Sequence, residues 1–324
     1  MNYLALDSGT TNSRLWLMQG SEVKVRKLIS VGVRNTAFDG HNRALVEAIA
    51  AEIKRLQTED KAFPRMVVSA GMITSSLGLH EVRHVQAPAG IDELAAQIET
   101  RSFPEVGPIP FYFLPGVRSG PMSCALGGAG SIDIIRGEET EVIGSSIQLG
   151  LHGPLLYIHL GSHTKMIHVD AEDRICGGAS TLGGELTLAV KQNTILRDAL
   201  PDSPPRPEDA PWLEEGWQAC RRLGLSRTLY MVRVYHLHAT VSKESLIAFQ
   251  TGAILSEEFR CLEELLDRQS LTHIVLSGLP QLHWAWCYFL DRQGLPVRCL
   301  SGEETERAFL TGLLEIFGRS RYAS

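Results

Sequence analysis

The stretch ALDSGTTNSRLWLM, Ala5–Met18, decides the fold. An apolar strand leads into Asp7, a turn over Ser8–Thr11 follows, and Ser13–Met18 returns as a second strand. The tip of this predicted hairpin carries a carboxylate, a glycine and three hydroxyls. Turn amides beside a glycine can approach and bind an anion, and a neighbouring carboxylate can hold Mg²⁺ through water. We interpret the hairpin as a phosphate-binding turn; the alternative is an ordinary tight hairpin of small polar residues.

The composition is that of a globular protein: of 324 residues, 44% are hydrophobic and 21% are charged. This length predicts two domains. No apolar run reaches the roughly 20 residues that cross a bilayer, and the start, MNYLALDSG, shows no signal peptide. A net charge of -6 without a basic block argues against nucleic acid as a partner. We therefore expect a cytoplasmic protein with neither membrane nor nucleic acid as a partner.

The spacing of cysteine and histidine does not predict a metal centre. The six cysteines are scattered and form no CxxC pair, so free thiols in a reducing compartment fit better than a disulfide framework or a zinc knuckle. His80 and His84 have the i, i+4 spacing of a metal site on a helix, but Val82 and the approaching Pro88 do not fit a regular helix. We therefore assign no metal to this histidine pair.

Both halves of the chain are predicted to open with three consecutive strands. In the first half these are Tyr3–Asp7, Ser13–Met18 and Glu22–Ile29, and in the second half Leu155–Leu160, Lys165–Val169 and Arg174–Gly177. The separation exceeds the period of repeat arrays, which indicates domain duplication rather than a solenoid. We therefore predict two α/β domains with mixed sheets, residues 1–150 and 151–324, a joint at Glu141–Gly153, and an interdomain cleft that holds the ligands.

Helices are predicted where apolar residues recur at helical spacing. The predicted helices are Asn42–Thr58, Ile91–Ser102, Glu185–Gln192, a broken stretch from Trp212 to Gln269, Trp284–Gln293 and Thr305–Phe317. The remaining predicted strands are Arg65–Ser69, Phe111–Leu114, His273–Ser277 and Val297–Leu300. Each half thus contains a mixed sheet with helices packed on it.

The turn of the second hairpin complements the turn of the first. The sequence HLGSHTKM, His159–Met166, offers Gly161, hydroxyls at Ser162 and Thr164, and the ammonium group of Lys165. One turn supplies a carboxylate for Mg²⁺ and the other a cation for phosphate oxygens. Phosphoryl transfer from ATP depends mainly on such positioning and charge neutralisation. The alternative is that Lys165 only begins the return strand and points to solvent.

A charged segment between the two hairpins, IDIIRGEETEV at Ile132–Val142, contains candidates for a general base. Such a base must lie within hydrogen-bond reach of the hydroxyl that it deprotonates. Glu138 and Glu139 are the main candidates. Asp133 and Asp7 are rivals for this catalytic role, although Asp7 fits a magnesium partner better, and Arg136 could neutralise charge on a substrate or phosphate. A surface cluster of charges is the alternative interpretation.

Two glycine-containing turns give weaker signals. Ser277–Pro280 follows an apolar strand, where Gly278 would let the backbone approach a base or ribose. The segment TLGGEL, Thr181–Leu186, begins a predicted helix whose amides could face an anion. Its glycine pair could equally serve tight packing. Neither turn is specific by itself.

Taken together, several segments resemble the 2-dehydro-3-deoxygalactonokinases, a branch of the actin-like sugar kinase superfamily with a duplicated ribonuclease-H-like fold. The matching segments are DSGTTNSRLWL from Asp7, SAGMITSSLG from Ser69, APAGIDELA from Ala87, LPG at Leu114–Gly116, DIIRGEET from Asp133, LGSHTKMIHV from Leu160 and GGEL at Gly183–Leu186. They extend over most of the chain. The RGEET and GSHTK segments are fairly specific, whereas DxGTT is shared across the superfamily.

The resemblance implies a kinase that uses ATP and Mg²⁺ to phosphorylate a hydroxyl of a sugar acid, 2-dehydro-3-deoxy-D-galactonate or a relative. It implies that Asp7 holds the hydrated metal. The RGEET segment also resembles the glutamate-bearing loop of exopolyphosphatases, which favours Glu138 or Glu139 as the base. The candidate ATP and phosphate ligands are Gly9, Thr10, Thr11, Asn12, Gly161, Ser162, His163, Thr164, Lys165 and Gly278.

The sequence departs from the family pattern at four positions. Ser8, Leu79 and Met166 stand where the family has tryptophan, and Ser76 stands where it has arginine. A lost arginine removes a partner for a substrate carboxylate, and the lost tryptophans would reshape the pocket walls. The candidate substrate-binding residues are Ser76, Arg34, Arg118 and Arg136, with Arg83 as a further replacement.

These departures leave two other functions open. One is a regulatory protein on the same fold that binds a sugar acid and ATP without catalysis. The other is a phosphoanhydride hydrolase of the exopolyphosphatase type, suggested by the glutamate loop. The sequence also leaves open a homodimer.

Overall fold

A computed structural model describes residues 2–59, 64–266 and 271–323 of the chain. The chain divides into two compact units. Unit 1 consists of Met1–Leu151, Arg174–Gly177 and Glu306–Ser324, and unit 2 of His152–Asp173 and Gly178–Thr305. The break after Leu151 falls one residue from the predicted boundary, whereas the end of the chain groups with unit 1.

Unit 1 is built from short strands and helices around one large sheet. Its strands are β1 (Asn2–Ser8), β2 (Ser13–Gln19), β3 (Glu22–Ile29), β4 (Val67–Gly71), β5 (Val85–Gln86), β6 (Glu99–Ser102), β7 (Pro110–Phe113), β8 (Val117–Arg118) and β9 (Ile134–Ile135). Its helices are α1 (Val33–Asp39), α2 (Arg43–Glu59), α3 (Ile91–Ala96) and α4 (Glu138–Leu149), with 3-10 turns at Met72–Thr74 and Ala129–Ser131.

The large sheet of unit 1 has the strand order β3-β2-β1-β4-β7-β6, and β5-β8-β9 form a small second sheet. β1 and β2 form the predicted antiparallel hairpin, with Ser8 opposite Ser13, and β4 runs parallel to β1. β4 is buried along its whole length and β1 along most of it, so both read as apolar runs. The apolar face of α2, including Leu45 and Ile49, packs in the same core.

Unit 2 has the same plan with longer helices. The strands of its sheet are β10 (Leu155–Leu160), β11 (Thr164–Val169), β12 (Ile175–Thr181), β13 (His273–Gly278) and β14 (Val297–Cys299). The first three residues of β12 group with unit 1. The helices of this half are α5 (Gly183–Asn193), α6 (Ala210–Leu223), α7 (Leu225–His238), α8 (Lys243–Leu266), α9 (His283–Leu290) and α10 (Gly302–Gly318), with 3-10 turns at Pro207–Asp209, Pro280–Leu282 and Asp291–Gln293. From Glu306 onward, α10 belongs to unit 1.

The sheet of unit 2 has the order β12-β11-β10-β13-β14, which repeats β3-β2-β1-β4-β7 of unit 1. In both, the first two strands form an antiparallel hairpin, and the next two strands in the sheet run parallel to the first. The predicted duplication of a mixed α/β sheet is therefore confirmed. Aromatic side chains of α6, α8 and α9, among them Trp217, Phe259 and Trp286, fill the core of unit 2.

One predicted helix is wrong in part. The helix predicted for Ile91–Ser102 ends at Ala96, and Glu99–Ser102 instead forms the edge strand β6, antiparallel to β7. Helix α4, which was not predicted, occupies most of the predicted joint Glu141–Gly153, and the division between the two units after Leu151 lies within that segment. Residues 267–269, at the end of the helical stretch predicted from Trp212, lie outside the described residues. In the part of the chain that the structure describes, no helix is long and apolar enough to cross a membrane.

Candidate functional site

The turn of the first hairpin is closed by its own backbone and supported by α1. The Gly9 N–H donates to Asn12 O at 2.9 Å. The Val33 N–H donates to Gly9 O at 3.2 Å, and the Arg34 N–H donates to Thr10 O at 2.9 Å. The start of α1 thus fixes the backbone of the turn, while the far end of the turn stays exposed.

The turn of the second hairpin is supported by a helix in the same way. The Glu185 N–H, in the first turn of α5, donates to Ser162 O at 2.8 Å. A Cβ added to Gly184 would lie 2.1 Å from Gly161 O, and a Cβ added to Gly32 would lie 2.5 Å from a carbonyl of the first turn. Each helix therefore approaches its turn so closely that only a glycine fits at the contact.

A glycine at the end of a parallel strand marks equivalent positions in the two units. Gly71 ends β4 opposite Ser8, and Gly278 ends β13 opposite Leu160. Their φ angles are 83° and 86°, a region that favours glycine. The equivalence holds residue by residue, so the two hairpins can be compared position by position.

This register makes His159 of unit 2 the counterpart of Asp7 in unit 1. Nδ1 of His159 lies 3.2 Å from Oγ of Ser277. The duplicated hairpins therefore carry different chemistry at the same place, a carboxylate in one and an imidazole in the other. The sequence pattern did not single out His159, because its equivalence to Asp7 depends on the strand register.

Asp7 lies at the end of β1 next to the backbone of Gly71. A Cβ on Gly71 would come within 2.7 Å of Asp7 Oδ1, and Nη1 of Arg14 lies 3.4 Å from Oδ2. Gly137, just before α4, packs on the other side: a Cβ there would lie 3.0 Å from Gly71 Cα. The structure thus brings Asp7 and the acidic start of α4 to the same strand end.

The two glutamates of the acidic segment have different environments. Glu139 is fully buried, and both of its carboxylate oxygens lie within 2.9 Å of the Gly137 N–H that donates to them. Burial, followed by the charge of Glu138, raises the pKa of Glu139 to about 8. Glu138 is half-buried and accepts a hydrogen bond from the Arg136 N–H at 3.0 Å. The main chain of the rival acid Asp133 pairs with Ser119.

The guanidinium of Arg136 binds the segment that follows β4. Nη1 donates to the carbonyl and hydroxyl oxygens of Thr74, and Nη2 donates to Val82 O at 3.0 Å and lies against the ring of His84. Burial lowers the pKa of Arg136, and the charge of Glu139 opposes that shift. The side chain therefore fixes residues 74–84 to the acidic segment, and its predicted contact with substrate stays a prediction.

The two histidines of the pair His80 and His84 each contact another charged side chain. Nε2 of His80 lies 2.8 Å from Oε2 of Glu99, and His84 packs against the guanidinium of Arg136. Within residues 2–59, 64–266 and 271–323, no three metal-ligating side chains cluster. In the structure, His80 and His84 therefore contact different side chains.

Side chains of the second turn make several polar contacts. The Lys165 ammonium donates to Ser180 Oγ at 3.0 Å, and Nε2 of His163 lies 3.5 Å from Oε1 of Glu185. Thr164 is buried, and its hydroxyl donates to a carboxylate below the turn. Of the predicted phosphate ligands in this turn, Thr164 thus points inward, so its predicted role is not favoured by this geometry.

A cavity of about 310 Å³ adjoins the second turn, and small-molecule sites have about this size or more. Its apolar wall consists of Leu188, Ile247, Ile254, Leu255, Leu282 and Trp286. At its polar side lie Gly161, Thr164 and the ion pair of Lys191 with Asp202, whose N–O distance is 2.7 Å. Leu279, which follows Gly278, also lines the cavity.

A family model described as 2-keto-3-deoxy-galactonokinase matches residues 7–316 of this sequence, a span that contains both hairpins and the acidic segment. The chain belongs to this family. The predicted family and the predicted enzyme class, a kinase that transfers phosphate to an alcohol group, are therefore confirmed.

Relatives and solved structures agree with membership in the galactonokinase family. The 2-dehydro-3-deoxygalactonokinase of Escherichia coli (strain K12) is 25% identical over 315 residues, which is 97% of each chain. The crystal structure of a Sinorhizobium meliloti protein provisionally named 2-dehydro-3-deoxygalactonokinase has a TM-score of 0.75 at 22% identity, covering 96% of this chain and 98% of that one. Component A of the (R)-2-hydroxyglutaryl-CoA dehydratase of Acidaminococcus fermentans shares the fold, with a TM-score of 0.52 at 14% identity and coverage of 98% and 99%.

Two departures from the galactonokinase pattern lie in the core. Ser8 is fully buried, its Oγ is 2.9 Å from Ser13 Oγ, and the Ser13 hydroxyl donates to Val31 O at 2.8 Å. Met166 is fully buried in the core of unit 2 and does not line the cavity. Both side chains are buried, and the expectation that these positions reshape the walls of a substrate pocket stays a prediction.

The remaining departure positions and the candidate arginines lie in unit 1. Leu79 is half-buried and packs on the core, whereas Ser76 is exposed. Arg34 and Arg83 are exposed. Arg118 donates to Gln86 Oε1 at 3.2 Å and to a neighbouring carbonyl. Arg34 and Arg83 are therefore more exposed than the other two candidate arginines, and contact of any of them with a substrate stays a prediction.

Proposed function

We propose that this protein transfers the γ-phosphoryl group of ATP to a hydroxyl of 2-dehydro-3-deoxy-D-galactonate or a closely related sugar acid. The observation that carries the proposal is the family match over residues 7–316, which includes both hairpins. The E. coli relative is named for this reaction. We also propose a cytoplasmic location, where ATP is available.

We propose that Asp7 holds Mg²⁺ through water. Mg²⁺ keeps most of its waters and is usually bound by one or two carboxylates together with substrate phosphates. The Asp7 carboxylate fits this role, because it lies at a strand end and retains 19% side-chain exposure beside the exposed Arg14. When bound, the metal supplies charge neutralisation on the phosphates.

The two hairpin turns are proposed to bind the phosphates. In the first turn, backbone amides of Gly9–Asn12 and the hydroxyls of Thr10 and Thr11 are suitable donors. In the second turn, the Ser162 hydroxyl and the Lys165 ammonium can neutralise phosphate oxygens. We place the adenosine in the cavity beside the second turn, because its wall is apolar and its volume is about 310 Å³.

The proton of the attacking hydroxyl goes to a glutamate at the start of α4. At the same time the new oxygen–phosphorus bond forms, the bond between the γ-phosphorus and the β–γ bridging oxygen breaks, and ADP leaves. A base works best when its pKa lies near the operating pH. Burial places the pKa of Glu139 at about 8, which favours this residue over an ordinary carboxylate. Glu138 is the more accessible of the two and is the second candidate.

An ADP-release screen over 2-keto-3-deoxy sugar acids and common aldoses tests this function. We expect Mg²⁺-dependent ADP production with a 2-keto-3-deoxy sugar acid and little with aldoses. Tight binding of a sugar acid and ATP without ADP production would support the regulatory function instead. Phosphate release without any acceptor would support the phosphoanhydride hydrolase.

A further inference from the structure

A carboxylate that the sequence motifs did not include lies beneath the second hairpin. Glu258, on α8, is 5% exposed. The hydroxyls of Thr164 and Thr181 both donate to it, the latter at 2.6 Å. Thr164 is the first residue of β11 after the turn, and Thr181 is the last residue of β12. A single side chain thus links the strand that follows the second phosphate turn to the strand that precedes α5, the helix supporting that turn.

The same carboxylate contacts the first residue of α5. A Cβ on Gly183 would lie 2.1 Å from Oε1 and 3.0 Å from Oε2 of Glu258. A negative charge at this end of the helix interacts favourably with the helix dipole. The next residue, Gly184, packs against the carbonyls of Gly161 and Ser162 in the turn. Glu258 therefore contacts the start of α5, and the start of α5 in turn contacts the turn.

An acid at this buried position is costly for folding. Burial raises the pKa of Glu258, because removing a charge from water is unfavourable. Apolar residues of similar size often stabilise a fold as well as a buried charged group does. The carboxylate also lines the cavity beside Gly161 and Thr164. Its hydrogen bonds to the edges of the turn and its place in the cavity therefore indicate a role in ligand binding.

We propose that Glu258 is a positioning residue for the phosphates of ATP. It fixes the turn Gly161–His163 and the start of α5, so that the amides of the turn and the Ser162 hydroxyl keep the orientation that phosphate oxygens need. Glu258 acts through Thr164, Thr181 and the backbone of α5, and it does not contact the reacting atoms. This inference rests on the proposed function, because it assumes that the second turn binds ATP.

The test compares Glu258→Ala and Glu258→Gln with Glu257→Gln, the same change one residue earlier on α8. ATP affinity is measured by calorimetry without sugar acid, and KM is measured separately for ATP and for sugar acid. For Glu258→Ala we expect ATP binding at least about tenfold weaker, which corresponds to about 1.4 kcal/mol, with the sugar-acid KM unchanged. Glu258→Gln should recover most of the affinity, because its amide oxygen still accepts a threonine hydroxyl. Glu257→Gln should match the wild type.

Thr181→Val provides a second route should Glu258→Ala fail to fold. It removes one hydrogen-bond donor to the carboxylate and should weaken ATP binding by about threefold, a loss within the range that one typical hydrogen bond contributes. Unchanged ATP affinity in the folded Glu258 and Thr181 variants would overturn the proposal. Equal losses of ATP and sugar-acid affinity would also overturn it, since they indicate general destabilisation. Failure of the wild-type protein to bind ATP at all would instead overturn the proposed function.

Discussion

The carboxylate of Asp7 lies 3.4 Å from the guanidinium of Arg14, an exposed side chain on the neighbouring strand. Exposed ion pairs contribute little to stability. Replacing the carboxylate by an amide of the same shape should therefore leave the fold intact. The loss should appear in the chemistry, because an amide cannot hold hydrated Mg²⁺ as a carboxylate does.

We predict that Asp7→Asn lowers kcat by about 100-fold or more, the usual cost of removing one preorganised charge from a phosphoryl-transfer site. The measurement is ADP release at saturating ATP and sugar acid, with the melting temperature followed in parallel. Asp39→Asn, an exposed position at the end of α1, is the matched control and should retain full activity. Near-normal turnover of Asp7→Asn with bound Mg²⁺ would contradict the assignment.

Glu139 makes stability depend on pH. Its pKa rises from 4.5 in the unfolded chain to about 8 in the folded protein. Between these two pH values the folded state keeps a proton that the unfolded state has released. The stability that this carboxyl contributes is complete below about pH 4.5 and is lost as the pH rises through 8. We predict that Glu139→Gln removes this loss, of the order of 3–5 kcal/mol between pH 5 and 9. Urea unfolding at three pH values measures it.

The same variant tests the base. If Glu139 accepts the proton, wild-type turnover rises with pH up to about 8, and Glu139→Gln is at least about tenfold slower. Glu138→Gln, its neighbour on α4, should then change turnover only slightly. A flat pH profile with an inactive Glu138→Gln would move the base to Glu138.

The sequence located Asp7 because a strand, a turn and a carboxylate stand next to each other in the chain. Glu258 was not found from the sequence, because its partner Thr181 lies 77 residues earlier. His159 was missed for a similar reason, since its equivalence to Asp7 appears only in the strand register. Local patterns reveal residues that act through neighbours in sequence, whereas residues that act through packing need the fold.

At the scale of elements, α4 depends on its contact with the last helix. A Cβ on Gly144 of α4 would lie 1.8 Å from Ala308 O, and a Cβ on Gly312 of α10 would lie 1.9 Å from Thr140 O. The two helix backbones therefore touch through a pair of glycines. The acidic first turn of α4 is held in place by this contact, which involves the part of α10 that belongs to unit 1.

We predict that Gly312→Ala destabilises the protein by about 1–3 kcal/mol, because the added methyl group must separate the two backbones. Gly318→Ala, at the end of the same helix, meets nothing within 4 Å and should be neutral or slightly stabilising. Chemical unfolding of the two variants measures the difference. Equal stabilities would show that the helices separate without cost.

Two elements differed from their predictions because strand pairing or burial, and not the local sequence pattern, determines their secondary structure. The segment Glu99–Ser102 contains four polar residues, as the exposed end of a helix can, but it pairs with β7 as an edge strand. Helix α4 was not predicted, because most of its first half is buried on all sides, so its sequence shows no clear amphipathic period. The hairpins were predicted well, because turn chemistry is local.

At the scale of the whole molecule, the chain repeats one five-strand plan and gives each copy a different turn. The opening of each copy with three consecutive strands could be predicted from the sequence. The grouping of Glu306–Ser324 with unit 1 could not be predicted, because the sequence of that helix does not indicate which element it packs against. Duplication predicts that both turns need the same support from a following helix.

This symmetry gives a matched pair of variants. A Cβ on Gly32 or on Gly184 would lie 2.5 Å or 2.1 Å from a carbonyl of its own turn, so either alanine must displace that turn. We predict that Gly32→Ala and Gly184→Ala each lower kcat/KM for ATP by about tenfold or more, because small misplacements of binding groups are expensive in catalysis. Gly302→Ala, which meets nothing within 4 Å, is the control. If Gly184→Ala alone kept normal kinetics, the second turn would have no part in binding ATP, and the repeat would be one of fold without a shared function.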